Sequence, residues 1–216
     1  MGLFITFEGV EGCGKTTQIR LLADALERSG KSVKLTREPG GCPIADKIRG
    51  ILLDAANSEM TPTAELLLYA AARAQHIKEV ITPAMKAGNI VLCDRFTDAT
   101  LAYQGFGRGL DIDLIKKLNE TATGGCRPEL TILIDCPVEI GLGRAVARIE
   151  AGSAADKNHL REERFERESL EFHQRVRNGY LKLAADAPER FVIIDGAGSV
   201  DEISTRIFEA VLPRIN

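Results

Sequence analysis

An open parallel β-sheet with helices on both faces is the fold class this sequence predicts, and three observations predict it. Short apolar runs of strand length, at 3–8, 33–36, 90–94, 130–135 and 191–195, read as buried parallel strands. Longer segments with helical spacing separate them, and strands alternating with helices give a parallel sheet with both faces covered. A glycine-rich turn stands where the first run passes into the first helical segment. With no internal repeat and no low-complexity stretch, residues 1–216 read as a single domain.

Taken in order, the first run ends in Glu8, and the segment 14–29 after it places Ile19, Leu22 and Leu26 on one face before Gly30 stops it. The strand at 33–36 comes next. Thr61-Pro62 reads as an N-cap followed by proline at the first helical position, opening a long helix towards Ala87 that stops at Gly88. Beyond the strand at 90–94, the strand at 130–135 leads into a helix expected over 137–150. Helices over 164–185 and 200–211 flank the last strand. The stretch 151–159 is small, polar and aperiodic, so it is expected to be a mobile loop; with its flanks, about 144–164, it is the candidate lid.

Composition excludes several classes. Hydrophobic residues at 44% and charged residues at 27% are those of an ordinary soluble globule. A net charge of −3 argues against nucleic acid as the main partner but leaves room for a locally basic site holding a small anion. The start lacks a basic n-region and meets Glu8 at once, so no signal peptide is expected. No apolar run approaches the ~18 residues of a membrane span. The five cysteines are dispersed without a C-x-x-C pair, so neither disulfides nor a zinc site is expected, and the compartment expected is the reducing cytoplasm.

Gly9-Val10-Glu11-Gly12-Cys13-Gly14-Lys15-Thr16 fits G-x-x-x-x-G-K-[ST] between a strand and an amphipathic helix. Triphosphate oxygens need several converging backbone N–H groups, so side chains must be absent where the chain wraps closest. The helix that follows turns its positive end to the phosphates. Lys15 is expected to reach the β- and γ-phosphates, and Thr16 to ligate Mg²⁺. Gly9, Val10, Glu11, Gly12, Cys13, Gly14, Lys15, Thr16 and Thr17 form the candidate ATP-binding set. The fold class thus becomes a P-loop NTPase fold with a five-stranded parallel sheet and a mobile lid. Ligands of such sheets lie beyond the carboxyl ends of the strands. That position gives Asp94 to Mg²⁺ or its water shell and turns Arg95 towards phosphate oxygens.

Thr36-Arg37-Glu38-Pro39-Gly40-Gly41, Asp94-Arg95-Phe96 and Ala102-Tyr103-Gln104-Gly105, in that order, resemble bacterial thymidylate kinase over nearly the whole chain. The resemblance implies transfer of the γ-phosphoryl of ATP to dTMP, giving dTDP and ADP. It implies that Tyr69 stacks on thymine and that Arg73, four residues on, hydrogen-bonds to it. Arginine only donates, which favours the O4 acceptor of thymine over the amino group of cytosine. Tyr103 would crowd the sugar 2′ position, and Arg95, with Arg37 and Arg49, would hold the acceptor phosphate. Glu38 and Pro39, in the loop over the pocket, and Thr100 and Gln104 complete the implied dTMP set. The family expectation for an acidic P-loop residue such as Glu11 is that the lid supplies the catalytic arginine. Arg144 and Arg148 precede the loop and Arg161 and Arg164 follow it, and the choice among them stays open. Cys42 and Ala99 stand where threonine and serine are common. A homodimer through sheet-covering helices around 66–74 is implied as well.

An acceptor phosphate with a second pKa of ~6 is already largely unprotonated at neutral pH, so His76, His159 and His173 need no catalytic role. Positioning and charge neutralisation then carry the reaction. Three alternatives remain at this stage: a sister kinase for another acceptor, a GTPase switch, and an idle protein that kept the fold. Asp195-Gly196-Ala197-Gly198 fits the loose D-x-x-G of a GTPase, but it follows the last strand and no N-K-x-D accompanies it. Intact Lys15, Thr16, Asp94 and Arg95 argue against the idle protein.

Overall fold

The computed structural model describes residues 2–152, 164–165 and 168–215. Strands β1 (Phe4–Glu8), β2 (Val33–Arg37), β3 (Ile90–Asp94), β4 (Leu130–Asp135) and β5 (Phe191–Asp195) form one sheet in the order β2-β3-β1-β4-β5. Every pairing is parallel. The central strand β1 is buried along its whole length, which is why its sequence reads as a continuous apolar run rather than an alternation. Its one interior hydroxyl, on Thr6, meets that of Thr131 on β4 at 2.8 Å, so the two buried polar groups satisfy each other.

The helices explain themselves from their ends. Helix α1 (Lys15–Arg28) follows directly on the glycine turn, buries Ile19, Leu22 and Leu26, and ends before Gly30 at φ 81°. Helix α2 (Pro43–Leu53), which hydrophobic periodicity did not reveal, carries proline in its first turn. Thr61 caps α3 (Pro62–His76) by accepting the N–H of Ala64 at 3.3 Å. The long helix expected up to Ala87 is continuous but not uniform, because a π-helical turn at Ile77–Ile81 joins α3 to α4 (Thr82–Lys86). Pro83 supplies the reason: it has no N–H for the ladder, and its ring crowds the preceding turn.

After β3, α5 (Thr97–Thr100) runs on through a π-helical turn at Leu101–Gly107 to α6 (Ile112–Thr123), whose first turn Asp111 caps at Leu114 N, 2.7 Å. Helix α7 (Val138–Gly152) follows β4. The helix predicted from 164 begins later, as α8 (Leu170–Asp186), because Ser169 accepts the N–H of Phe172 at 3.2 Å and so fixes the start. Arg164 and Phe165 lie in a turn before it. Helix α9 (Val200–Ile215) runs past 211, with Pro213 in its last turn. Ile5, Phe7 and Leu92 pack with residues of α1, α8 and α9, while Phe4, Val91 and Cys93 pack with Ile77, Ile81 and Met85. The carboxyl ends of β2 and β3 and the start of α1 open together on one cavity of about 1470 Å³.

Candidate active site

The loop between β1 and α1 wraps too tightly for side chains at two positions. A Cβ on Gly9, at φ 139°, would sit 2.5 Å from the carbonyl oxygen of Ile134; one on Gly12, at φ 66°, would overlap the carbonyl oxygen of Gly141 on α7. Lys15 is buried and curls over this loop, its Nζ donating to Gly9 O and Val10 O at 2.9 Å each, 3.5 Å from Cys13 Sγ. The two residues predicted for the metal meet across the cavity, Thr16 Oγ1 donating to Asp94 Oδ2 at 3.1 Å. A hydroxyl and a carboxylate are the hard oxygen donors that suit Mg²⁺, which takes its remaining ligands from phosphates and water.

Arg95 follows Asp94 with φ 68°, the left-handed region that a non-glycine residue enters only when its surroundings hold it there. Its guanidinium lies 4.8 Å from the centre of the Tyr103 ring and donates to Glu11 Oε1 at 3.0 Å and to Tyr180 Oη at 3.2 Å. Tyr103 also donates to Glu11 Oε1, at 2.6 Å, and burial pushes its hydroxyl well above the usual range, so it stays a donor. Burial alone would raise the pKa of Glu11, but the Arg95 guanidinium, His173 at 3.3 Å, Lys15 and Tyr103 together hold it at about 2. The sequence reading grouped Glu11 with the ATP loop. In the structure its backbone lies in that loop, and its carboxylate accepts from Arg95 and Tyr103.

The acceptor side is built around a buried arginine. Arg73 is 2% exposed, and four of its five N–H donors are engaged. They reach Glu38 Oε2 at 2.8 Å, Asn119 Oδ1 at 2.7 Å, and Phe96 O and Thr100 Oγ1 at 3.0 Å each. Arg73 is therefore the node that ties α3 to the loop after β2, to α5 and to α6, beyond the single base-reading role expected of it. Glu38 uses its other oxygen for His76 Nδ1 at 2.9 Å, and His76 Nε2 lies 2.6 Å from Thr36 Oγ1. Glu38 is thus an anchor of the loop that carries cis-Pro39, and Arg49 donates to Pro39 O at 3.0 Å. Gln104 donates to Glu65 Oε1 at 2.7 Å. Arg37 stays at the surface, 3.5 Å from Asp46.

Every residue predicted for the acceptor, from Glu38 to Gln104, lines the same cavity as the loop from Glu11 to Thr17 and Arg144. Gly9 and Val10 do not line it; they support it from behind. Of the lid expected at about 144–164, residues 153–163, Arg161 among them, and the side chain of Arg148 lie outside the described residues. Arg164, a candidate for the phosphates, is placed elsewhere. Its Nε donates to Leu52 O at 2.7 Å and its Nη2 to Glu65 Oε2, so it fastens the turn at 164–165 to α2 and α3.

Several contributors were missed in the sequence. Phe165 lines the cavity and meets Tyr103 edge to face at 5.4 Å. Gln18 on α1 donates to Val200 O at 2.9 Å and holds the start of α9, where Val200 and the preceding Gly198 line the cavity. The D-x-x-G segment closes its own turn instead, with Asp195 accepting the N–H of Ala197 at 2.9 Å. Glu8 is the least anticipated residue, a carboxylate fully buried at the end of β1. Burial and the neighbouring Asp98 push its pKa up to about 7, against the pull of Arg95, the Tyr180 hydroxyl and the Phe96 N–H.

Comparison with known proteins gives a consistent result. The family described as thymidylate kinase matches residues 7–207. The chain is 66% identical over 215 residues to the thymidylate kinase of Citrifermentans bemidjiense, covering 100% of this chain and 93% of that protein. It is 66% identical over 216 residues to that of Geotalea daltonii, covering 100% and 99%. Among solved structures, that of thymidylate kinase from Ehrlichia chaffeensis superposes with a TM-score of 0.75 at 32% identity, covering 97% of this chain and 98% of that one.

Proposed function

The chain belongs to the thymidylate kinase family, and we propose how its own residues divide the work of moving the γ-phosphoryl of ATP to dTMP. One observation carries the reading: the phosphate loop and the whole predicted acceptor set face a single cavity of about 1470 Å³, large enough for two nucleotides. Lys15 exchanges its bonds to Gly9 O and Val10 O for donor phosphate oxygens, a short reorientation of one flexible side chain. Thr16 and Asp94 would hold Mg²⁺, which would supply neutralisation of phosphate charge. The acceptor phosphate is its own nucleophile, so the protein's task is to align it. Arg95 does this, its guanidinium gripped by Glu11 and Tyr180 and stacked on Tyr103.

Base and sugar are read by the acceptor wall. Tyr69 stacks on thymine, and the remaining donor of Arg73 meets O4. Tyr103, pinned by Glu11, closes the space a 2′-hydroxyl needs. Arg144, exposed at the cavity rim, is a lid-side cation for the transferring group, with Arg148 and Arg161 as further candidates. Exposed Ile44 and Ile51 on α2, Leu67 on α3 and Leu114 on α6 support a homodimer through that helical layer. No described helix is long and apolar enough to cross a membrane; the cytoplasm is the proposed location. The test is ADP release from ATP–Mg²⁺ with each nucleoside monophosphate in turn. Turnover with dTMP well above that with dCMP and the purine nucleotides is expected, and equal turnover with all would overturn the acceptor reading.

A further inference from the structure

We infer that Glu8 and Tyr180 are positioning residues for Arg95, acting on its backbone and its guanidinium at once from outside the nucleotide cavity. The inference rests on the assignment of Arg95 to the acceptor phosphate made above. Neither Glu8 nor Tyr180 lines the cavity, and they are 0% and 1% exposed, so neither reaches a bound nucleotide. Both, however, converge on one residue. Glu8 Oε1 accepts the N–H of Phe96, the peptide immediately after Arg95, at 2.7 Å. Glu8 Oε2 accepts the Tyr180 hydroxyl proton at 2.8 Å, which leaves the Tyr180 oxygen to accept from Arg95 Nη1 at 3.2 Å.

Arg95 needs such holding. Its φ of 68° is unfavourable for an arginine, and a residue kept there is kept by its neighbours. On one side its own N–H donates to Phe7 O at 2.9 Å, and on the other Glu8 takes the next N–H, so two consecutive residues of β1 clamp the turn. At the far end of the side chain, Nη1 meets Tyr180 and Nη2 meets Glu11, which fixes the plane of the guanidinium over the Tyr103 ring. In the observed geometry Glu8 accepts at both oxygens. An amide in its place still accepts from Phe96 but turns N–H groups to Tyr180, whose own proton then has no acceptor.

Steady-state kinetics and thermal unfolding of Glu8→Gln, Tyr180→Phe, Arg95→Lys and the double variant Glu8→Gln/Arg95→Lys test this. Losing a hydrogen bond in a charged chain lowers kcat/KM for dTMP about tenfold or more, with KM for ATP within about twofold of the parent. In the double variant the loss is less than the product of the single losses, because both act through one guanidinium. Folded Glu8→Gln and Tyr180→Phe with parental kcat/KM for dTMP would overturn the inference, as would equal effects on both substrates or full additivity. If Arg95→Lys itself keeps parental activity, the assignment of Arg95 falls, and the inference falls with it. If Arg95→Lys is impaired while the other two are not, only the inference falls. Should one variant fail to fold, the other still decides.

Discussion

Replacing Glu38 by glutamine separates an anchoring carboxylate from one that touches substrate. Glu38 accepts from Arg73 Nε at 2.8 Å and from His76 Nδ1 at 2.9 Å, and all three side chains are at most 3% exposed. Glutamine keeps the shape but offers one acceptor, so one donor then faces an N–H group. It also removes the counter-charge of a guanidinium that has almost no access to water. Loss of a buried charge-assisted bond with its counter-charge costs about 3 kcal/mol. For a chain of this size each kcal/mol shifts Tm by about 2–4 °C, so a fall of about 6–12 °C is expected. The assay is thermal unfolding of the apo protein, followed by dTMP titration of the folded variant. An unchanged Tm with a large loss of dTMP affinity would refute the anchor and make Glu38 a direct ligand.

Lys15→Ala loses turnover by about a thousandfold or more while far-UV circular dichroism stays parental, because among the described residues the Lys15 ammonium bonds to loop acceptors alone; near-parental turnover would undo the phosphate-loop assignment. Arg164→Ala leaves Glu65 without one of its buried partners and lowers stability by about 2–3 kcal/mol, read by urea unfolding; a change in kcat alone would return Arg164 to the transferring phosphate. The pH dependence of stability has two opposed parts. Glu11, lowered from 4.5 to about 2, contributes stability that is present above pH 4.5 and lost as pH falls through about 2, so Glu11→Gln flattens the acid limb. Glu8, raised from 4.5 to about 7, holds its proton longer in the folded protein, so its contribution is lost as pH rises from 4.5 through about 7. Unfolding curves of Glu8→Gln from pH 4 to 8 lack that decline, and a parental decline would mean that Glu8 does not titrate there.

The sheet was legible because each buried parallel strand is a continuous apolar run, and β3, β4 and β5 match the predicted bounds end to end. The phosphate loop was legible because glycine spacing encodes a backbone path directly. Helix α2 and the segment 97–107 were not, since short or π-wound elements carry no clean helical period and take their shape from what they pack on. The acceptor residues came from family likeness, and their geometry lay beyond it. Arg73 and Arg164 look like solvated helix charges when read locally. Their partners, Glu38 for one and Leu52 and Glu65 for the other, lie 35 to 112 positions away and only the fold brings them close. Glu8 was hidden for the same reason: a carboxylate at a strand end reads as a solvent cap until Phe96 and Tyr180 close over it.

The most direct test of the central claim is the ratio of kcat/KM for dTMP to that for dCMP, measured by ADP release in the parent and in Tyr69→Ala. A high ratio in the parent that falls about tenfold or more in the variant is the result predicted for one cavity holding a P-loop donor beside a thymine-reading wall. A ratio near one in the parent, or one that Tyr69→Ala leaves unmoved, would contradict it.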